Sequence, residues 1–249
     1  MDTYDFVIIG AGPAGEAAAY KARELDASVA VIDRLWFGGS CPHIGCLPSK
    51  SLLDGAARHA ANPVRYDWAA ASAQRDYIVN RPARADEPDD GGHVRGLRGA
   101  GAVVYRGNAT IVGRGRVAVA HDRVTHELAA SHVLVAVGSV SKRPPIEGLA
   151  DIPTWTNREA TLTRELPRSL VILGGGPTGC ELAQVYARFG VPTTIVQSGP
   201  RLAPTDHPTQ LGGDPGRTRA GRGERANRRP GPPRSCRRRL GRRPRGRAR

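Results

Sequence analysis

The chain has 249 residues, enough for one large domain or two small ones. Its formal net charge of +14 is concentrated in residues 207–249, where 15 arginines stand against two acidic residues, so residues 1–206 carry a net charge of only +1. The basic charge therefore belongs to the C-terminal segment and indicates no nucleic-acid-binding surface on the rest of the chain.

Cysteine content and apolar segments set the expected compartment. Four cysteines are too few for a secreted fold held together by disulfides. No stretch approaches the apolar length of a membrane span, and the short apolar run near the N-terminus is not preceded by the basic residues of a signal peptide. We expect a cytoplasmic protein with no membrane partner.

The chain begins with a strand–turn–helix–strand pattern. Residues 5–9 (DFVII) form an apolar run that ends in the glycine cluster GAGPAG, and a second apolar run, SVAVID, occupies residues 28–33. Short continuous apolar runs predict buried parallel strands, and the Ala-rich segment between them predicts a helix. A third parallel strand is predicted at residues 132–136.

The middle of the chain changes pattern three times. Ala-rich residues 52–81 predict two helices that break near Asn62 and Pro63, and residues 85–92 (ADEPDDGG) predict a loop. Residues 102–137 then alternate between apolar and polar side chains, which predicts a meander of the short strands VVY, ATIV, RVAVA, RVTHEL and HVLVAVG. A Pro/Gly linker follows at residues 142–148.

The glycine cluster after the first apolar run has the spacing of a dinucleotide-binding turn, with Gly10, Gly12 and Gly15 as its glycines. The first glycine permits the turn, the second lets a pyrophosphate approach the backbone, and the third lets the helix pack closely on the strand. Asp33 ends the second strand, where a carboxylate can accept hydrogen bonds from a ribose. The pattern predicts a dinucleotide site, and a purely structural turn is the alternative.

A second unit at residues 169–197 repeats this arrangement, with Gly174, Gly176 and Gly179 at the same spacing. Its second strand ends in Gln197 rather than in an acid. Glutamine can hydrogen-bond a ribose hydroxyl but does not repel a 2′-phosphate, so both NAD and NADP stay open. A structural strand–turn–helix is again the alternative.

Cys41 and Cys46 are separated by four residues within GGSCPHIGCLPSK, residues 38–50. Zinc binding would need more ligands, because no second Cys/His pair stands at zinc spacing and His43 alone is more typical of a surface or packing residue. Two unrelated buried thiols would not need the surrounding glycines or Lys50. A redox pair fits best, because this spacing in the first turn of a helix brings the sulfurs together where the helix N-terminus favours a thiolate.

These motifs together resemble the class I pyridine nucleotide–disulfide oxidoreductases, the flavoproteins that include dihydrolipoamide dehydrogenase, mercuric reductase and glutathione reductase. GGSCPHIGCLPSK resembles the redox-active disulfide of that family, and GAGPAG with Asp33 resembles its FAD-binding unit. HVLVAVGS at residues 132–139 is similar to its second flavin motif, with Val137 in place of the usual threonine, and GGGPTG is similar to its NAD(P)H-binding unit. The similarity covers residues 1–206.

The resemblance implies an α/β fold of the FAD/NAD(P)-binding, Rossmann-like type and a flavin-dependent NAD(P)H:disulfide oxidoreductase. Electrons would pass from NAD(P)H to FAD, then to a Cys41–Cys46 disulfide, and then to a small-molecule or lipoyl-type disulfide. Cys41 is expected to exchange with the substrate, Cys46 to contact the flavin, and Lys50 to lie near the flavin N5 edge. Glu181 is expected to be the carboxylate partner of Lys50, with a helix-surface acid as the alternative.

The same resemblance implies which residues bind the cofactors, and it implies no metal. The residues expected to hold FAD are Gly10, Gly12, Pro13, Ala14, Gly15, Asp33, Arg34, Gly39, Ser40, Lys50, Ala136, Gly138 and Ser139. Those expected to hold NAD or NADP are Gly174, Gly176, Gly179 and Gln197.

The resemblance also implies an incomplete domain order, with an FAD-binding domain at residues 1–147 and a partial NAD(P)H-binding unit at residues 148–206. Residues 207–249 are nearly devoid of large apolar side chains and are expected to be a disordered tail. Members of the family continue into a dimerisation domain and form homodimers, so the resemblance implies a chain truncated after about residue 206, and the Arg/Gly/Pro-rich run that follows is expected to be a frameshift product. A catalytically inactive remnant is therefore an alternative to an active reductase. A further alternative is a fusion whose basic arm attracts nucleic-acid phosphates.

Overall fold

A computed structural model describes residues 1–199 and 201–203 of the chain. The disordered tail predicted for residues 207–249 lies outside the described residues, as do residues 204–206 at the end of the predicted NAD(P)H-binding unit. Within the described ranges, no helix combines the length and the apolar character needed to cross a bilayer.

The described residues form two compact units. The first comprises Met1–Ser51 and Ala73–Leu162. The second comprises Leu52–Ser72 and the described residues from Thr163 onward. Each unit contains one of the two glycine motifs.

The first unit is built on a six-stranded sheet. Its strands are β1 (Asp2–Ile9), β2 (Val29–Asp33), β3 (Val103–Arg106), β4 (Asn108–Gly113), β5 (Arg116–His121) and β6 (Val124–Val135). Their order across the sheet is β3-β2-β1-β6-β5-β4. The four strands β3, β2, β1 and β6 are parallel, and β5 and β4 continue the sheet in antiparallel pairing.

Six α-helices and a short 3-10 helix (Leu149–Asp151) precede the second glycine motif. The α-helices are α1 (Pro13–Glu24), α2 (Ser40–His43), α3 (Cys46–Ala61), α4 (Trp68–Ile78), α5 (Gly91–Gly99) and α6 (Asn157–Leu162). The break predicted near Asn62 and Pro63 is confirmed, because it falls between α3 and α4.

Strand β1 is central because both of its faces are apolar. Ile8 joins Leu97 of α5 in an apolar cluster on one face, and Val7 joins Val117 of β5 and Leu128 of β6 in a cluster on the other. All five side chains are at most 1% exposed. Burying a valine, leucine or isoleucine this completely contributes about 1.5–3 kcal/mol, which explains why the apolar run forms an interior parallel strand.

The predicted parallel strands at residues 5–9, 28–33 and 132–136 are confirmed, because β1 pairs in parallel with β2 and with β6. The predicted meander was wrong in two details. RVTHEL and HVLVAVG contribute to one strand of 12 residues, β6, whose first half pairs with β5 and whose second half pairs with β1. VVY lies in β3, which pairs in parallel with β2 instead of joining the meander.

The sequence did not predict α5 and α6. Helix α5 begins at Gly91, inside the segment predicted to be a loop, and its sequence GGHVRGLRG is rich in glycine. Glycine has a low intrinsic helix propensity, and the burial of Leu97 in the core compensates for it. Helix α6 has only six residues and depends on side-chain caps.

The second unit contains the strand–helix–strand that its sequence predicts. Strand β7 (Leu170–Leu173) leads through the glycine turn to helix α7 (Pro177–Arg188), and strand β8 (Thr193–Val196) pairs with β7 in parallel. Helix α7 buries Val185 and Tyr186, and the Trp68 ring of α4 packs against Tyr186 with ring centroids 5.6 Å apart.

The two glycine turns have the same backbone geometry. Gly10 has a φ of 103° and Gly174 a φ of 108°, and each donates its N–H to a carbonyl of the neighbouring strand at 2.8 Å. In each turn a Cβ on the third glycine, Gly15 or Gly179, would overlap the carbonyl oxygen of the first. The two turns differ in what surrounds the first glycine. A Cβ on Gly10 would overlap the Ala136 carbonyl oxygen, whereas no described atom lies within 4 Å of a Cβ on Gly174.

This difference predicts unequal effects of the same substitution. Gly174→Ala should destabilise its unit by about 1–3 kcal/mol through backbone strain alone. Gly10→Ala adds an overlap with the Ala136 carbonyl and should cost roughly a further 1–3 kcal/mol. Hydrogen exchange of the β1 and β7 amides measures both effects, and equal losses of protection in the two variants would contradict the expected overlap.

Candidate functional site

The first glycine turn joins β1 to α1 at the carboxyl edge of the parallel strands. Gly12 precedes the helix, and Pro13 takes the first helical position, where a proline loses no hydrogen bond. The first helical hydrogen bond runs from Glu16 N to Gly12 O at 2.9 Å, so the N–H groups of Ala14 and Gly15 have no acceptor within the helix. N–H groups in this position can bind phosphate.

Asp33, at the end of β2, ties this turn to the next loop. Its Oδ2 accepts a hydrogen bond from Ala11 N at 2.8 Å, and its Oδ1 accepts one from Leu35 N at 2.8 Å. Each carboxylate oxygen has further acceptor capacity, so Asp33 can still receive a ribose hydroxyl. Arg34 is exposed beside it.

Gln197 takes the corresponding place in the second unit. Its Oε1 accepts a hydrogen bond from Gly175 N at 2.7 Å, which matches the bond that Asp33 accepts in the first unit. The amide nitrogen of Gln197 is a donor where Asp33 offers only acceptors. No atom of the described residues lies within 4 Å of a Cβ on Gly176, so a ligand can approach the backbone there.

The cysteine segment, residues 38–50, is hydrogen-bonded directly to the first glycine turn. Gly38 donates its N–H to Ala11 O at 2.8 Å. Gly39 has a φ of 68°, and a Cβ there would lie only 2.5 Å from the Gly12 Cα. Position 39 therefore requires glycine, because the two backbones touch. Helix α2 starts at the next residue, Ser40.

Cys41 and Cys46 lie on two helices, α2 and α3, and not in the first turn of one helix as predicted. The chain leaves the helical conformation at Ile44, which has a φ of −134°, and Gly45 then packs so closely that a Cβ would lie 3.0 Å from Ser40 O. This break directs the N-terminus of α3 at the first cysteine. Cys41 and Cys46 are not joined by a disulfide, and their side chains lie close enough for Cys46 to raise the pKa of Cys41.

The groups around Cys41 shift the pKa of its thiol in opposite directions, and the net shift is upward. The hydrogen bond between its thiol and Cys46 raises the pKa of Cys41, and partial burial and the negative charge of a Cys46 thiolate raise this pKa further. The backbone N–H of Cys46 and the charge of Lys50 act in the opposite direction without reversing the shift. Lys50 lies one turn after Cys46 on α3, and Cys46 is the more exposed of the two thiols.

His43, between the cysteines, is a packing residue. It is 2% exposed, and its Nε2 lies 2.9 Å from Phe37 O, while its Nδ1 has no hydrogen-bond partner among the described residues. Its ring packs against Trp36 and His93, and burial lowers the pKa of His43. The part of the chain that the structure describes contains no group of three or more His, Cys, Asp or Glu residues suited to a metal ion.

Only part of the second predicted flavin motif reaches the glycine turn. Ala136 donates its N–H to Ile9 O at 2.7 Å, and its carbonyl covers Gly10. Gly138 and Ser139 are exposed, and a Cβ on Gly138 would meet no described atom within 4 Å.

Glu181 is half-buried on α7 of the second unit, two residues after Gly179. Lys50 belongs to the first unit. The predicted pairing of the two side chains stays a prediction.

Sequence reasoning missed the contact that α6 makes with the cysteine segment. Asn157 donates its amide to Ile44 O at 3.0 Å, and the Thr161 hydroxyl lies 3.1 Å from the same oxygen. The sequence does carry a signal for this helix, since Thr156 and Glu159 have the spacing of a capping box.

A parallel sheet with a glycine turn at its carboxyl edge, and with a thiol pair attached to that turn, is an arrangement typical of dinucleotide-linked redox proteins. The chain belongs to the pyridine nucleotide-disulphide oxidoreductase family, whose model matches residues 4–212. The family and the Rossmann-like α/β fold inferred from the sequence are thereby confirmed. Members of this family use FAD and NAD(P)H.

Curated relatives agree with this membership. The chain is 35% identical over 218 residues to a mercuric reductase of Streptomyces lividans, and 31% identical over 208 residues to a dihydrolipoyl dehydrogenase of Chlorobaculum parvum. Each alignment covers 82% of this chain and 44% of the relative. The chain thus spans less than half the length of these relatives.

Solved structures give the same result. The HOCl-induced flavoprotein disulfide reductase RclA from Escherichia coli superposes with a TM-score of 0.70 at 28% identity, covering 81% of this chain and 43% of RclA. The Cu(II) complex of RclA gives a TM-score of 0.71 at 26% identity, covering 83% of this chain and 45% of RclA.

The thiol contact predicts a reactivity change in the reduced protein. Cys46→Ala removes the hydrogen bond and the charge that raise the pKa of Cys41, so the thiolate fraction at neutral pH should rise and iodoacetamide should alkylate Cys41 severalfold faster. The tryptic peptide that begins at Leu35 carries both cysteines, and its fragmentation reports on Cys41 alone.

Lys50→Met in the Cys46→Ala background provides the control. Loss of the Lys50 charge should raise the pKa of Cys41 again and slow its alkylation. If Cys41 reacts at the same rate in the native protein and in Cys46→Ala, the inferred thiol contact is wrong.

Proposed function

We propose that the chain carries the flavin-linked dithiol of an NAD(P)H-dependent disulfide reductase. Electrons would pass from NAD(P)H through FAD to Cys41 and Cys46, and from them to a substrate disulfide. The observation that best supports this is the contact between two thiols in a segment bonded to the glycine turn through Gly38 and Ala11. Thiols used only for packing would both be buried, whereas Cys46 is exposed.

Residues 1–147 would hold FAD. The unused N–H groups at the start of α1 suit its pyrophosphate, and the remaining acceptor capacity of Asp33 suits its ribose. When bound, FAD accepts a hydride from NAD(P)H and passes an electron pair to a disulfide. Further proposed contacts are Arg34, Gly39, Ser40, Lys50, Ala136, Gly138 and Ser139.

The dithiol would act on substrate by two exchange steps. The Cys41 thiolate attacks one substrate sulfur, forming a mixed disulfide and expelling the other sulfur as a thiolate. The Cys46 thiolate then attacks the Cys41 sulfur and expels the second substrate thiolate. Solvent protonates both products, so the substrate gains two electrons and two protons, and Cys41 and Cys46 end as a disulfide. The Lys50 charge would favour the attacking thiolate.

Residues 148–206 would supply the NAD(P)H site. The backbone at Gly174, Gly176 and Gly179 has the geometry of the first turn, and Gln197 offers both a donor and an acceptor to a ribose. A neutral Gln197 is compatible with NADH and with NADPH. Glu181 is the proposed catalytic carboxylate of this unit. The proposed substrate is a small or lipoyl-type disulfide in the cytoplasm, and Cys41 is the thiol that would exchange with it.

The test is a count of thiols on one peptide. The oxidised full-length chain is reconstituted with FAD under anaerobic conditions, treated with NADH or NADPH, and then alkylated. Two alkyl groups should appear on the tryptic peptide of residues 35–50 when FAD and a nicotinamide are both present, and none when FAD is omitted. Cys180, which lies on α7, should be alkylated in every sample.

A disulfide that persists between Cys41 and Cys46 while FAD is bound and a nicotinamide is present would contradict the proposed function. The same holds if the oxidised chain never forms this disulfide.

A further inference from the structure

Helix α6 is short, but its N-terminus is fully capped. The Glu159 carboxylate accepts hydrogen bonds from the backbone N–H of Thr156 at 2.6 Å and from its hydroxyl at 2.7 Å. The Thr156 hydroxyl in turn lies 3.2 Å from Arg158 N, which donates to it. This is a capping box, and it fixes the first turn of a helix that six residues could not stabilise alone.

Buried arginines fix its other end. Arg75 is fully buried and donates to Thr161 O, and Arg81 donates to Leu162 O at 2.6 Å. Asp76 lies beside both guanidinium groups, 2.7 Å from Arg75 Nε and 3.4 Å from Arg81 Nη1, and offsets their charge. The last carbonyl groups of α6 are therefore held by side chains from the end of α4 and the turn after it.

A helix fixed at both ends contacts the chain on both sides of Cys41, once just before the cysteine segment and once within it. On one side, the Arg158 guanidinium lies over the Trp36 ring, 4.5 Å from its centroid. On the other, Asn157 donates to Ile44 O at 3.0 Å. Ile44 is the C-cap residue that follows α2, so its carbonyl orients the turn that leads from Cys41 to Cys46.

A hydrogen bond from Ser141 fixes the orientation of the Asn157 side-chain amide. Its Oδ1 accepts a hydrogen bond from the Ser141 hydroxyl at 3.1 Å, which leaves the amide nitrogen directed at Ile44 O. The Thr161 hydroxyl has one hydrogen and lies closer to Asn157 O, at 2.8 Å, than to Ile44 O, at 3.1 Å. Asn157 is therefore the principal donor to the turn between the cysteines.

We propose that Asn157 is a positioning residue for the dithiol and that its bond to Ile44 sets the thiol–disulfide equilibrium of Cys41 and Cys46. This inference rests on the proposed function, because it requires the two cysteines to form a disulfide. Holding the turn in place keeps the sulfurs together before they bond, so less conformational freedom is lost when the ring closes. Without the hydrogen bond from Asn157 to Ile44, the dithiol should become more favoured relative to the disulfide.

The test equilibrates the full-length chain, without cofactors, in buffers of reduced and oxidised glutathione. Oxidation joins the two sulfurs, and two electrons and two protons pass to glutathione disulfide, which becomes two molecules of glutathione. Acid quenching, alkylation and mass analysis of the tryptic peptide of residues 35–50 give the equilibrium constant. Asn157→Asp should lower this constant about tenfold, which corresponds to a potential about 30 mV less negative.

Asn157→Asp separates positioning from helix stability. An aspartate in the first turn of α6 favours the helix, because a negative charge there opposes the helix dipole. The same carboxylate has no hydrogen to donate to Ile44 O and repels it. Asn157→Ala should shift the constant in the same direction by about threefold, since it removes the donor without adding repulsion.

Thr163→Val is the matched control, because the Thr163 hydroxyl donates to Glu165 O at 2.8 Å and Thr163 belongs to the second unit, whereas the cysteine segment belongs to the first. It should leave the constant unchanged. The proposed role of Asn157 is overturned if Asn157→Asp has the same equilibrium constant as the native protein. It is also overturned if Thr163→Val shifts the constant as much as Asn157→Asp does. If the native chain forms no disulfide between Cys41 and Cys46 at any glutathione ratio, the proposed function and this inference both fail.

Discussion

The contact between Gly12 and Gly39 is the constraint on which the rest of the site depends. Two glycines without side chains allow the first glycine turn and the start of the cysteine segment to touch, and the 2.8 Å hydrogen bond from Gly38 N to Ala11 O fixes their register. Helix α2 begins at the next residue, Ser40, and α3 begins at Cys46 after one turn, so the position of both thiols follows from this crossing. A cofactor held by the turn and a disulfide formed by the cysteines would therefore share one rigid backbone junction.

The two units show how one turn geometry can be adapted. Their first glycines have almost the same φ, and a side-chain oxygen at the end of the second strand accepts the same backbone N–H in each. The oxygen belongs to a carboxylate in Asp33 and to an amide in Gln197, which differ in charge and in their ability to donate. The turn geometry is thus independent of the charge that the ribose would meet, so the two units can differ in cofactor preference without a change of fold.

Local sequence patterns were sufficient to predict the parallel strands, both glycine turns and the proximity of the two cysteines. They failed where distant residues decide the structure. Helix α5 has too many glycines for its own propensity and depends on Leu97 reaching the core. Helix α6 carries a capping-box signal, but it is too short to be stable without Arg75 of α4 and Arg81 of the following turn. The turn that divides the cysteines between two helices is also contacted by a distant residue, since Asn157 lies more than 100 positions after the carbonyl to which it donates.

The most direct measurement of the central claim uses Gly39→Ala, with Gly92→Ala as its control. A Cβ at position 39 would lie 2.5 Å from the Gly12 Cα, whereas a Cβ at position 92 meets no described atom within 4 Å. The dissociation constant for FAD and the glutathione equilibrium of the cysteine pair are measured on each variant. We expect Gly39→Ala to weaken FAD binding and disulfide formation together, each by roughly tenfold or more, and Gly92→Ala to change neither. A Gly39→Ala protein that keeps native values for either quantity would contradict a shared junction.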